Sequence, residues 1–165
     1  MKYIFPSLLV LFVLFGISCS DKINKPRYSE PLTPEKALSS FELNKDFNIE
    51  IFAAEPYVQD PVDMAVDEKG NVYVVEMPDY PYKPEPGKES GQIRLLVDSN
   101  KDGRVDKSIV FADKLSEATS ILPWKGGLIV TAAPDIFYLK DTNGDFKSDI
   151  REILFTGFFK NNVQY

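Results

Sequence analysis

The side chains best suited to chemistry lie in two short acidic segments. Asp98, Asn100 and Asp102 stand at alternate positions with Asp106 close behind, and the pattern returns 43 positions later as Asp141, Asn143, Asp145 and Asp149. Carboxylate and amide oxygens spaced this way are how a chain wraps a hard cation, Ca2+ above all. Counted as a calcium loop, the first segment has Gly103 in the sixth place but Ile109 in the twelfth, where an EF-hand needs Glu. The second has Glu152 in the twelfth place, but Phe146 replaces the glycine. Neither is an EF-hand. Two readings stay open: a looser calcium loop joining two strands, or plain turns, which Asp, Asn and Gly build in any case.

Little else in the chain offers chemistry. It holds no histidine and one cysteine, so the commonest general base, the commonest metal ligand and any internal disulfide are missing. A C-x-x-C-H haem attachment is excluded within these residues. Glu76 and Asp79 border a proline-rich stretch and either face a substrate or serve as surface and turn carboxylates. Trp124, ahead of Lys125-Gly126-Gly127, either stacks on a sugar or packs between sheets. No residue is assigned a catalytic role.

The elements that must position these segments repeat with them. Each acidic segment follows an apolar run, Ile93–Val97 or Ile136–Leu139, and precedes another, Ile109–Phe111 or Ile153–Phe155. Ahead of each stands a hairpin pattern, one turning at Lys69-Gly70-Asn71 and one at Pro123–Gly127. Four short strands at a period of roughly 40–50 residues mark propeller blades. The expected fold class is therefore all-β, a β-propeller of which the chain supplies two four-stranded blades, from Val62 to Asp113 and from Thr119 to Thr156.

Pro78–Ser90 lengthens the first blade, and its prolines bar a central strand. With Tyr80 and Tyr82 it reads as an aromatic loop at the propeller mouth or as a packed connector. Upstream, Thr33-Pro34-Glu35 predicts a helix over Pro34–Ser40, and alternation predicts a strand over Phe47–Phe52. Closed propellers need about four to eight blades, so residues 34–165 are expected to be the N-terminal part of a longer propeller domain.

Length and composition fit a folded domain: 165 residues, 44% hydrophobic, with twelve Phe and eight Tyr. A net charge of −6 argues against nucleic acid as a partner, since phosphate needs a basic surface. Residues 1–18 read as an export signal, with Lys2 ahead of an apolar core from Leu8 to Phe15 that is short for a membrane span. The signal ends in Gly16-Ile17-Ser18-Cys19, a pattern similar to a bacterial lipobox, although Gly16 stands where Leu is usual. Cys19 is then the lipidated residue, two acyl chains hold the protein to a membrane, and residues 19–33 form a polar, proline-bearing tether. The expected location is the periplasmic or outer side of a membrane.

An ordered series of motifs carries a resemblance. It runs through Leu32-Thr-Pro-Glu-Lys-Ala-Leu38, Phe41, Ile49-Glu-Ile-Phe-Ala-Ala-Glu-Pro56 and Asp60-Pro61. It continues through Val75-Glu-Met-Pro-Asp-Tyr-Pro-Tyr82, Asp98-Ser-Asn-Lys-Asp-Gly103, Phe111-Ala-Asp113, Leu122-Pro-Trp124, Val130-Thr-Ala-Ala-Pro-Asp-Ile136 and Leu154-Phe-Thr-Gly157. The chain resembles the membrane-bound dehydrogenase-like, or PVC-type haem-binding, bacterial propeller proteins over residues 32–162. That resemblance implies a propeller similar to the pyrroloquinoline-quinone-dependent sugar dehydrogenases, often followed by helical repeats and a downstream cytochrome c domain. It implies oxidation of a sugar or alcohol, with electrons passed to quinone or c-type haem outside these residues. The alternative is a non-catalytic, calcium-stabilised propeller that binds glycans or proteins at the cell surface.

Overall fold

The computed structural model describes residues 30–158 apart from Lys83. The export segment, Cys19, most of the tether and residues 159–165 lie outside the described residues. The compact unit opens at Pro34, in helix α1 (Pro34–Leu38). α1 stops short of Ser40 because the hydroxyls of Ser39 and Ser40 bond back to the carbonyls of Lys36 and Ala37 at 2.8 and 2.7 Å, competing with the helical ladder.

Eight strands follow in two antiparallel sheets, each strand beside the next in sequence. The first sheet holds β1 (Pro61–Val66), β2 (Val72–Glu76), β3 (Gly91–Val97) and β4 (Lys107–Leu115). The second holds β5 (Ala118–Trp124), β6 (Gly127–Ala132), β7 (Asp135–Lys140) and β8 (Ile150–Thr156). Each sheet is bounded by the turn chemistry seen in the sequence. The β1–β2 turn closes on Asp67, whose carboxylate accepts the Lys69 and Asn71 N–H groups at 2.9 and 2.8 Å.

The registers define two faces per sheet. On the first, the front carries Tyr73, Val75, Ile93 and Leu95, and the back carries Val72, Val74, Glu76 and Leu96. The front packs on the second sheet's back, where Ile121, Leu128, Val130 and Leu139 lie, and together they form the main core. Tyr73 and Phe111 meet edge to face within it, centroids 5.2 Å apart. Polar clasps tie the pair at both margins. At one, Asp63 on β1 accepts Ser120 Oγ at 2.7 Å and the Ile121 N–H at 3.0 Å on β5. At the other, the Arg151 guanidinium on β8 lies 4.9 Å over the Phe137 ring and donates to the Asp113 and Lys114 carbonyls at 3.0 Å each.

Phe47–Phe52 forms no strand. Residues 52–58 instead run as a strap over the first sheet's back, where Phe52, Ala53 and Val58 cover Val74, Leu96 and Val105. The Phe52 carbonyl accepts the Val105 N–H at 2.9 Å. Phe47 is 73% exposed, and of the alternating segment only Phe52 joins the packed cluster on the sheet's back, so the alternation lines no buried face there.

The Asp63 clasp is expected to contribute measurably. Asp63→Ala removes the acceptor for a hydroxyl and for the N–H of buried Ile121, a loss of about 1–3 kcal/mol. It should appear as a lower urea midpoint at unchanged slope, and Asp63→Asn, which keeps one acceptor oxygen, should recover part. A loss below about 0.5 kcal/mol would mean the core alone holds the sheets.

Candidate functional site

Both acidic segments fold into the same loop, one between β3 and β4 and one between β7 and β8. Asp98 accepts the N–H of Asp102 at 3.2 Å and of Gly103 at 2.8 Å, and Asp141 accepts those of Asn143, Gly144 and Phe146 at 3.1, 2.7 and 2.8 Å. Asn100 caps the Asp102 N–H at 3.0 Å, as Asn143 caps Asp145 at 2.9 Å. Asp102 and Asp145 each accept the N–H two residues on at 2.9 Å. Behind them, Asp106 takes the N–H and hydroxyl of Ser99, and Asp149 takes those of Thr142. All eight residues expected to bind metal thus sit in two separate loops, four to a loop, and each accepts a bond from its own loop.

The departures from the calcium pattern prove minor for the backbone. The fourth and sixth places of both loops lie in the left-handed region: Lys101 and Gly103 at φ 61° and 86°, Gly144 and Phe146 at 84° and 67°. Each loop has one glycine to relieve one strained place, and the two loops place it differently. Phe146 adopts the conformation that Gly103 has, and its N–H is held by the Asp141 carboxylate as that of Gly103 is by Asp98. Glu152, by contrast, lies in β8 opposite Tyr138 and is not part of the loop. Among the described residues, no group of three or more acidic or cysteine side chains is placed to hold a metal ion. In each loop the oxygens of these side chains accept the N–H bonds that shape the turn.

These bonds shift titration. Hydrogen bonds from the Ser99 hydroxyl and N–H hold the Asp106 carboxyl below its usual range. For Asp141, partial desolvation pushes upward, but the N–H groups of Gly144, Phe146, Asn143 and Asp145 together outweigh it and the net shift is downward. Asp63 is lowered too, first by the Ser120 hydroxyl. Tyr73, at the turn end of the core, is pushed up to about 12 by burial and by Asp67, Asp141 and Glu68. The Ser148 N–H on the β7–β8 loop donates to the Phe111 carbonyl of β4 at 2.7 Å, which places that loop beside the first sheet.

The Pro78–Ser90 insertion joins β2 to β3, so it leaves the first sheet at the end opposite the acidic loop. Tyr80 and Tyr82 are exposed, and Asp79 accepts the Ser90 N–H at 3.2 Å, drawing the loop's two limbs together. Glu76 is no surface carboxylate: it is 1% exposed and accepts Gln59 N–H, Gln92 Nε2 and Arg94 Nε at 2.7, 2.7 and 2.9 Å. Arg94 in turn donates to Ser108 Oγ at 3.3 Å. Every partner of Glu76 is distant in sequence, so no local signal marked it. Trp124 lies on the second sheet's front, edge to face with Tyr138 at 5.8 Å and with Lys125 Nζ 4.3 Å over its ring.

These features define an all-β protein of two matched four-stranded antiparallel sheets with paired Asp-rich turns. A family model described as a domain of unknown function, DUF7133, matches residues 33–165, and the chain belongs to that family. No curated protein and no solved structure matches it.

Carboxyls lowered in the folded state stabilise it above their unfolded pKa, near 3.9, and lose that contribution as pH falls through the lower folded values. The melting temperature should therefore hold between about pH 7 and 5 and fall as pH drops below about 4. Asp141→Asn should melt lower at pH 7 and lose less on acidification. An equal acid loss in both proteins would remove Asp141 from the linkage.

Proposed function

We propose that the chain supplies two consecutive blades of a β-propeller in an exported protein anchored through lipidated Cys19, and that the whole protein oxidises a sugar or alcohol. The observation that supports the propeller reading is the front-to-back packing of two sheets with one topology, bulges at two equivalent places and one type of outer loop. The oxidoreductase reading rests on the resemblance to quinone-dependent and haem-binding dehydrogenases. These residues act as scaffold. On this reading quinone or haem is held elsewhere in the whole protein. Among the described residues no helix is long and apolar enough to cross a membrane.

The activity test uses the complete reading frame, expressed in a host that exports and matures cytochromes, with pyrroloquinoline quinone supplied. Sugar- or alcohol-dependent reduction of an artificial acceptor dye, lost without quinone or haem, is the expected result. Binding of polysaccharide or protein with no dye reduction would replace the dehydrogenase with the surface-binding alternative.

Calcium belongs to the same reading, supported by the Asp-x-Asn-x-Asp spacing and by the shared loop geometry. Extracellular sites of this kind bind at roughly 10⁻⁴–10⁻³ M, so millimolar Ca2+ should raise the melting temperature by linkage, magnesium less. Asp98→Ala with Asp102→Ala should remove most of the rise. No shift beyond an ionic-strength control would leave the loops as turns alone.

A further inference from the structure

The β7–β8 loop holds a reactive pair that its sister loop lacks. Asn143 is the one asparagine of the chain followed by glycine, and that pair is the sequence most prone to lose its side-chain amide. The Gly144 nitrogen gives up its proton to water and attacks the carbonyl carbon of the Asn143 side chain. A C–N bond forms, the bond to Nδ2 breaks, ammonia leaves and a cyclic imide remains. Water then opens the imide on either side, leaving an aspartate or an isoaspartate at position 143. A side chain on the following residue slows the attack by crowding its nitrogen, and glycine has none.

Packing does not prevent this reaction. Asn143 and Gly144 are exposed, and a Cβ built on Gly144 would meet no atom within 4 Å. The restraint lies in the hydrogen bonds. The Gly144 N–H donates to Asp141 Oδ1 at 2.7 Å, and the Asn143 N–H shares that oxygen at 3.1 Å. The Asn143 side-chain oxygen is itself engaged, accepting the Asp145 N–H at 2.9 Å. The attacking nitrogen is thus an N–H bonded to an anion, and a neighbouring negative charge opposes loss of its proton. Closing the ring removes that N–H, so the bond to Asp141 must be given up first. The sister loop is built alike. Its glycine, Gly103, follows Asp102, which closes the same kind of imide by losing water, and the Gly103 N–H is held by Asp98 Oδ2 at 2.8 Å. In each loop the glycine in the left-handed region follows a residue able to cyclise onto it, and the loop's first Asp holds that glycine's N–H.

We propose that Asn143–Gly144 is the deamidation site of this chain and that Asp141 guards it by holding the Gly144 N–H. An isoaspartate there would lengthen the backbone by one methylene between the N–H groups that Asp141 collects, so the guard also keeps the loop's geometry. The proposal rests on the loop's own bonds, and neither the oxidoreductase nor the calcium reading enters it.

The test incubates the complete exported protein at mildly alkaline pH with a chelator present. Peptide mass spectrometry then reads the conversion of amide to acid at each asparagine and separates aspartate from isoaspartate. Folded, the pair should react roughly ten- to a hundredfold more slowly than in the same protein unfolded in guanidinium chloride, the range that one charge-assisted hydrogen bond commands. In the unfolded protein Asn143 should react first, ahead of Asn100, which Lys101 follows. Asp141→Ala should close most of the gap while circular dichroism shows the strands intact. Asp145→Ala and Asp149→Ala remove carboxylates from the same loop but leave the Gly144 N–H bond in place, and both should stay slow. If Asp141→Ala loses its strands, Asp141→Asn takes its place; it keeps an acceptor oxygen without the charge and should still react faster than the unaltered protein. Equal rates folded and unfolded, or faster reaction at another asparagine, would overturn the proposal. So would an Asp141 variant as slow as the unaltered protein, or Asp145→Ala or Asp149→Ala as fast as Asp141→Ala.

Discussion

A four-stranded sheet of alternating residues has an apolar face that water will not tolerate, and here the front of one sheet covers the back of the other. Burying each Val, Leu or Ile in that seam stabilises the fold by roughly 1.5–3 kcal/mol, and the seam holds many such residues against two polar clasps. The rest of the architecture follows from it. β2 and β3 are interior strands with Val75, Ile93 and Leu95 fully covered. The Asp63 and Arg151 clasps then fix how the two faces slide and rotate, a task for which dispersion alone is poorly directional.

The two sheets cover their backs differently, and their residues differ accordingly. Where the second sheet's back lies under another sheet, Ala132 and Phe137 keep it apolar. At the matching positions the first sheet has Glu76 and Arg94, which would be costly under a dry apolar cover. There the cover is backbone and strap, and the Gln59 N–H supplies the bond that makes a buried carboxylate tolerable. The polar pair and the strap are thus one device. Glu76 anchors the strap's end, and the strap shields Glu76.

How much of this was legible depended on sequence distance. The repeat, the eight strands and the paired loops announced themselves, because hydrophobic alternation and Asp-Asn-Gly turns act over a few residues. The position of Asp63 gave no warning, since Ser120 and Ile121 lie 57 and 58 residues away. Glu76 escaped for the same reason. Phe47–Phe52 was read as a strand from its alternation alone, but Phe47 is exposed and the strap begins at Phe52. The loops were legible as a matched pair from residue type and spacing, and their oxygens accept N–H bonds within their own turns, which leaves lone pairs on each carboxylate. Side-chain chemistry in a sequence states what a residue can accept. It does not state which backbone groups it meets.

Topology also separates what the sequence placed side by side. In an antiparallel sheet, successive connections alternate ends, so the β3–β4 acidic loop and the β2–β3 insertion with Tyr80 and Tyr82 leave the first sheet in opposite directions. The acidic end is regular, repeated in the second sheet and satisfied by its own backbone, which suits a structural rim. The insertion occurs once, breaks the repeat and carries exposed aromatic rings. A feature that interrupts a repeat is held by contacts the repeat does not supply, and here those are the Asp79–Ser90 bond and the Met77 N–H to the Asp60 carbonyl at 3.2 Å. Any recognition by these two sheets is therefore best sought at the insertion's end, with the acidic loops fixing the frame from the other.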